Sequence, residues 1–185
     1  MRIIRGKFRS KKISPPKNFS ARPTTDFAKE GLFNILENRF DFEEIKLLDL
    51  FSGTGSISYE FLSRGGSSAT AVESDKRCVL FIERNTREMF KNGELKVIQA
   101  NAYSMMSKLN LDFDIIFADP PYSDEKVKDI PEIIFSNSTI KPKTLLIIEH
   151  SATVSFSENA YLEEHRKYGS VNFSFFSKNN KKVQF

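Results

Sequence analysis

From Ile45 onward, short apolar runs alternate with helix-patterned stretches, and few folds accommodate such an alternation. Residues 45–50 read as a strand, followed by Phe51-Ser-Gly-Thr-Gly-Ser56 and a helix through Arg64. Further strands are predicted over 68–73, 95–99, the run ending at Asp119, and 143–149. Helices over 75–90, 104–109 and 124–135 separate them. The tail offers 161–168 and 171–176 as a hairpin turning at Gly169-Ser170. Strands joined through helices run parallel, so this pattern predicts an α/β fold. We expect a seven-stranded, mostly parallel sheet with helices on both faces and an antiparallel hairpin at its end.

Two motifs fall at carboxyl ends of these strands, where open parallel sheets bind ligands. In Asp119-Pro-Pro-Tyr122, two prolines forbid continuation of strand or helix and force a rigid loop. Asp119 and the carbonyl of Asp119 or Pro120 can accept both hydrogens of an exocyclic amino group while Tyr122 stacks on the ring. An ordinary strand exit, with Asp119 capping the next helix, is the competing reading. In the upstream motif, Gly53 and Gly55 permit positive φ and close backbone approach, and Asp49 stands at the entry to meet a ligand ammonium. A dinucleotide fingerprint would want a third glycine where Ser58 stands. Glu73 ends the second strand at the spacing of an acid that binds ribose hydroxyls. Asn101, read as ending the third strand, serves either an adenine edge or a turn.

Upstream of the sheet, Thr24 or Thr25 can cap a helix running to about Arg39, with Phe27, Leu32, Phe33, Ile35 and Leu36 as its apolar stripe. Residues 1–30 hold nine Lys and Arg (Arg2, Arg5, Lys7, Arg9, Lys11, Lys12, Lys17, Arg22, Lys29) against Asp26 and Glu30. The formal net charge of the whole chain is only +4. Such a basic arm on a neutral or acidic body suits a phosphate-backbone binder, and Ile3, Ile4, Phe8, Ile13 and Phe19 within it predict an ordered hairpin rather than a loose tail. With 185 residues there is room for one principal domain and an appendage; we expect the arm over 1–20, the main domain over 21–185, and a monomer. A single cysteine, Cys78, and two histidines leave no metal-ligand cluster. No apolar segment is long enough to span a bilayer and no secretory signal opens the chain, so a cytoplasmic location is expected.

Asp49-Leu-Phe-Ser-Gly-Thr-Gly-Ser, Glu73 and Asp119-Pro-Pro-Tyr122 together resemble Rossmann-like class I S-adenosylmethionine-dependent methyltransferases acting on exocyclic amino nitrogens. With Arg2-Ile-Ile-Arg-Gly-Lys-Phe-Arg, Arg22-Pro-Thr-Thr-Asp26 and Glu30-Gly-Leu-Phe-Asn-Ile-Leu36, the chain is similar over nearly its whole length to the bacterial RsmD-type enzymes, which modify a guanine N2 in 16S ribosomal RNA. The resemblance implies that Asp49, Gly53 and Gly55 surround the methionine portion of S-adenosyl-L-methionine, Glu73 holds its ribose and Asn101 lies near its adenine, with Ser52 and Ala102 completing the cofactor site. It implies Asp119, Pro120 and Tyr122 as catalytic residues on the guanine, with Arg22, Thr24 and Pro121 in the substrate cleft. It further implies Arg2, Arg5, Lys7, Arg9, Lys11 and Lys12 on ribosomal RNA or the small ribosomal subunit. This sequence departs from the family where Asn101 replaces a usual Asp, Arg5 a usual glycine, and Phe27-Ala28 a more basic pair. The resemblance implies direct methyl displacement, with neither a metal nor a covalent enzyme intermediate. Competing readings are a DNA or RNA adenine-N6 methyltransferase, a protein-glutamine methyltransferase with Asn in place of Asp119, and a non-catalytic nucleic-acid-binding module.

Overall fold

The computed structural model describes residues 1–16, 24–108 and 110–178. Strands β1 (Lys46–Leu50), β2 (Ser68–Glu73), β3 (Leu95–Gln99), β4 (Ile115–Ala118), β5 (Leu145–His150), β6 (Leu162–Tyr168) and β7 (Val171–Phe176) form one sheet in the order β3-β2-β1-β4-β5-β7-β6. The first five run parallel, and β7 is antiparallel to β5 and to β6. The expected sheet and its terminal hairpin are therefore present. Strand order reverses between β1 and β4, which pair directly with Leu50 opposite Ala118.

Alternate residues of the central strands feed two cores. Leu47, Ala71, Ile115, Phe117, Ile147 and Phe173 face one side, under α1 (Asp26–Glu37), α2 (Ser56–Ser63) and α3 (Lys76–Met89). Leu48, Leu50, Val72, Ile116, Ala118 and Ile148 face the other, under α4 (Ala102–Lys108) and α5 (Ile130–Ser136). Burial on both faces explains why these strands read as continuous apolar runs. At the sheet's end β6 alternates poorly and carries Glu163, Glu164, Arg166 and Lys167, a charge pattern that discourages pairing with another chain. No helix among the described residues is long and apolar enough to cross a membrane.

Several local expectations need correction. Thr25 caps α1 as foreseen, accepting a hydrogen bond from Ala28 N at 3.2 Å, but Phe27 is 66% exposed and does not join the buried stripe of Leu32, Phe33 and Leu36. Helix α4 starts two residues earlier than expected, so Asn101 follows β3 instead of ending it. The stretch read as one helix over 124–135 divides into a 3-10 turn, Glu125–Asp129, and α5. Gly31 lies inside α1 because its bare face receives the Tyr168 ring, which a Cβ would strike at 2.2 Å.

Over its described residues, 1–16, the basic arm is ordered but is not a regular β-hairpin; Lys17 and Phe19 lie outside the described residues. One antiparallel bridge, Arg2 with Lys12, closes it, and Ile3 and Ile13 enter the core. The physical reason lies in its backbone donors. Ile4 N and Arg5 N donate to the two Glu60 carboxylate oxygens (2.8 and 3.1 Å), Lys7 N to Ser63 O (2.7 Å) and Phe8 N to Ser63 Oγ (3.0 Å). The two limbs also bond each other, Ile3 N to Lys11 O (3.1 Å), Ser10 N to Ile3 O (2.9 Å) and Ile13 N to Met1 O (3.1 Å), while α2 takes amides of the first limb and its turn. Gly6, at φ 82°, allows this approach, since a Cβ there would collide with the Ser63 carbonyl.

Glu60 is the hub. Besides the arm it accepts from Arg64 Nε at 2.7 Å, and Lys29 Nζ lies 3.5 Å away; all three side chains are at most 1% exposed. Lys29 Nζ also donates to Arg2 O (2.7 Å) and Ser56 Oγ (3.2 Å). Lys29, one of the nine cations of the basic segment, is therefore structural. Removing one member of such a buried network strands the others and costs about 3–5 kcal/mol. Glu60→Ala should lower unfolding free energy by about that amount in urea titrations; a change within the scatter of surface substitutions would show that the network is not holding the arm.

Candidate methyltransferase site

Pairing of β1 with β4 brings the ends of both motifs to one edge of the sheet. Phe51 leaves β1 at φ 60°, a left-handed conformation uncommon outside glycine, and its ring sits 5.5 Å edge-on from Tyr103 of α4. Gly53 and Gly55 follow at φ 54° and 78°. Part of the need for Gly55 comes from within the protein, because a Cβ would meet Tyr59 at 3.0 Å and Ile82 at 3.2 Å. Ser52 fastens the loop to its neighbours, donating through Oγ to Asp49 O (2.6 Å) and Val72 O (3.1 Å). The arm reaches this loop too, with Thr54 Oγ1 3.3 Å from Met1 Sδ.

Asp49 is buried, and its Oδ2 accepts from Ser58 Oγ (2.6 Å) and Ser58 N (3.2 Å). The residue standing where a dinucleotide fingerprint has glycine thus secures the acid at the loop's entry. Glu73 gathers the loop from β2: Oε2 accepts from Gly53 N at 2.8 Å, and Oε1 from Ser74 N and Asp75 N at 2.7 and 2.8 Å. A carboxylate has about four lone-pair directions, so Oε2 retains capacity for a hydroxyl. Asn101 is exposed and its Oδ1 accepts from Ser104 N at 3.2 Å in the first turn of α4, a bond that does not use its amide NH2. Ala102 is buried in the first turn beside it.

Asp119 follows β4, its N donating to Leu50 O at 3.4 Å. Pro120 is buried, Pro121 exposed, and Tyr122 is 56% exposed. Asp124 N takes the Pro121 carbonyl (2.8 Å) and Tyr103 Oη donates to Asp124 Oδ2 (2.9 Å), so α4 braces both loops. Asp119 does not cap the following 3-10 turn; Asp124 does, through Lys126 N. Thr24 is buried with its Oγ1 2.9 Å from Glu149 Oε2 at the end of β5. Glu149 was missed by sequence reasoning because it closes an apolar strand without a surrounding motif. Arg22 lies outside the described residues. Of the arm cations, Arg2 pairs with Asp26 (3.0 Å) and Arg5 with Glu37 (2.8 Å), Lys7 lies 5.4 Å from the centre of the Phe8 ring, Arg9 and Lys12 are exposed, and Lys11 is half-buried.

The cleft is electrostatically one-sided. Burial pushes Asp49 up to about 7 against the opposing Ser58 bonds, and Glu149 up to about 7 against the Thr24 bond. Asp119 is raised well above the usual carboxylate range by burial, then by the charges of Glu149 and Asp49. A cluster of carboxylates that resist ionisation favours a cationic ligand, and Glu73 beside the glycine loop suits a ribose. These residues therefore fit S-adenosylmethionine, a nucleoside bearing a sulfonium and an ammonium group.

The comparisons with known proteins agree with this geometry. The family model described as conserved hypothetical protein 95 matches residues 1–177. Ribosomal RNA small subunit methyltransferase D of Buchnera aphidicola subsp. Baizongia pistaciae is 30% identical over 183 residues, covering 95% of this chain and 91% of that one. The chain belongs to this methyltransferase family. The Escherichia coli K12 member is also 30% identical, over 80% of this chain and 74% of its own. Among solved structures, a candidate methyltransferase from Escherichia coli superposes with TM-score 0.82 at 26% identity, over 100% of this chain and 99% of that one. An RNA methyltransferase from Salinibacter ruber, solved with S-adenosyl-L-homocysteine, shares the fold at TM-score 0.68 and 14% identity, over 89% of this chain and 96% of its own. The fold is thus the class I methyltransferase fold.

The buried acid gives a pH signature. Unfolded Asp titrates at about 4, whereas Asp49 titrates at about 7 in the fold. The folded state holds the extra proton between those values, so the stability due to this group is full below about pH 4 and is lost as pH rises toward 7. Asn at this position carries no such dependence. Urea unfolding of wild type and Asp49→Asn at pH 5 and pH 8 should therefore show the wild type losing ground to the variant at pH 8; an unchanged gap would refute the assignment.

Proposed function

We propose that this chain is a cytoplasmic, monomeric enzyme that methylates the exocyclic N2 of a guanine in 16S ribosomal RNA, naked or in the small ribosomal subunit, using S-adenosyl-L-methionine. The observation that carries this reading is the direct pairing of β1 with β4, from which the glycine loop and Asp119 emerge at one edge of the sheet. A cofactor seat and a base seat then adjoin. Asp49, Ser52, Gly53 and Gly55 would hold the methionine portion, Glu73 the ribose, and Asn101 with Ala102 the adenine end. When bound, the cofactor supplies a methyl group on a sulfonium leaving group.

The protein's own task is to aim a poor nucleophile. The lone pair of an aromatic amine is delocalised into its ring. Asp119 and the carbonyl of Asp119 or Pro120 would accept its two N–H groups, which favours a pyramidal nitrogen and stabilises positive charge as it develops there. Tyr122 would stack on the base, with Thr24, Pro121 and Arg22 lining the cleft. The arm, Arg2, Arg5, Lys7, Arg9, Lys11 and Lys12, would grip RNA phosphates as an appendage, 1–20, to the methyltransferase domain, 21–185. Surface ion pairs such as Arg2 with Asp26 are weak and can be exchanged for phosphate contacts.

Incubation with labelled cofactor and unmodified small-subunit particles, followed by mapping of the methylated base, tests the assignment directly. Asp119→Ala should abolish methyl transfer while leaving calorimetric cofactor affinity largely intact; near-normal turnover in that variant would reject the catalytic role. RNA affinity should fall steeply between low and moderate salt, because phosphate contacts release counterions. Binding that ignores ionic strength would remove the arm from the interface.

A further inference from the structure

Beside Asp119 the cleft contains a second carboxylate that neither motif accounts for. β4 and β5 pair in parallel with Ala118 opposite Ile148. The next residues, Asp119 and Glu149, therefore stand side by side and point to the same face of the sheet, because side chains at matching register positions share a face. Glu149 is only 3% exposed. A buried carboxylate is rare unless paired, and this one accepts a hydrogen bond from a neutral hydroxyl, Thr24 Oγ1, 125 positions away in the chain. Thr24 is itself buried and immediately precedes the cap of α1.

The groups around the pair come from several elements. β1 contributes Asp49, and Glu73 at the end of β2 acts on Asp49 in turn. β7 places Phe173 opposite Glu149. Helix α1 offers Thr24 at its start, while its buried cation, Lys29, is directed to Arg2 O, Ser56 and Glu60. The immediate field at Asp119 is therefore negative, from Glu149 and then Asp49. Two carboxylates so placed behave as a coupled pair, each ionising less readily beside the other's charge.

We propose that Glu149, anchored by Thr24 and standing next to Asp119 at the matching register position, is a positioning residue for methyl transfer: it adds to burial in making Asp119 a proton acceptor for the target amine. This rests on the methyltransferase reading above. An amine gives up one proton for each methyl it gains. Its N–H bond breaks with the electron pair left on nitrogen, and the proton joins an Asp119 oxygen, converting carboxylate to carboxylic acid. A carboxylate of ordinary strength is a feeble base at neutral pH, and an acceptor works best when its affinity for protons is matched to the working pH. Thr24 enters because its hydrogen bond favours the charged form of Glu149. A lost Thr24 bond would let Glu149 hold its proton more readily, and Asp119 would feel less charge.

The test needs no substrate. Carbon-13 carboxyl NMR of ligand-free, labelled protein follows Asp119 through a pH titration, with the resonance assigned by its loss in Asp119→Asn. In Glu149→Gln the Asp119 midpoint should move to lower pH. Thr24→Val, which keeps shape and loses only the hydroxyl, should move it the same way by less. The double variant should match Glu149→Gln, because Thr24 acts through Glu149. The acid limb of the pH–rate profile for methyl transfer should follow these shifts. An Asp119 midpoint unmoved in Glu149→Gln would overturn the proposal, as would an unmoved midpoint in Thr24→Val if the first variant does not fold. A wild type that methylates no ribosomal RNA would overturn the functional reading separately, since the titration is read without RNA or cofactor.

Discussion

The backbone pairing of β1 with β4 is the constraint from which the rest of the molecule follows. Wherever a parallel sheet reverses strand order, the connections leave to opposite faces and a crevice opens at the carboxyl edge. Here the reversal falls between the strand that ends in the glycine loop and the strand that ends in Asp119. The two motifs lie 70 positions apart in sequence, from Asp49 to Asp119, yet occupy one edge because Leu50 and Ala118 are register partners. Had β4 paired elsewhere, neither motif would have lost its local structure, but the cleft would not exist.

Around that crevice the chain uses polar contacts to fix elements whose apolar packing alone would not set their position. Ser52, Ser58 and Glu73 tie the glycine loop to β1, β2 and α2, and Tyr103 reaches across to Phe51 and Asp124. Further out, Glu60 converts a basic arm into part of the domain. Its carboxylate accepts two arm amides and offsets two buried cations, so the arm that would touch RNA is rigidly connected to the helix opening at the glycine loop. The bonds of such a network are directional, which is why the arm can be ordered without strands of its own.

Much of this was legible in the sequence, for reasons that differ by element. β2 and β3 occupy the residues their patterns marked, and the terminal hairpin turns at Gly169-Ser170, because alternation and turn chemistry are local properties. The arm was read as a hairpin because its apolar residues suggest strands; no local pattern reveals that its amides are claimed by Glu60 and Ser63 on a distant helix. A glycine inside a helix ordinarily weakens it, and the reason for Gly31 in α1 is the Tyr168 ring packed against it, a contact that no local pattern reveals. Lys29 looked like part of an electrostatic surface, and only its 1% exposure shows otherwise. Asp119 and Glu73 announced themselves through neighbouring prolines and spacing. Glu149 sits at the end of an apolar run with nothing local to mark it, and its importance arises from strand register alone.

That contrast bears on how the site manages charge. Three carboxylates at the ends of β1, β4 and β5 cannot all ionise cheaply where burial strips them of water, so together they form an electrostatic conflict that packing does not relieve. A stable fold without a task would be expected to replace one of them with an apolar residue, since buried charges seldom add net stability. Retaining all three makes sense if a cationic ligand completes the set, turning repulsion among the acids into attraction for the cation. The same reasoning explains why Ser58 and Thr24 are hydroxyl residues. A cation at either position would neutralise its acid permanently, whereas a hydroxyl fixes the carboxylate's direction and leaves its charge available to the ligand.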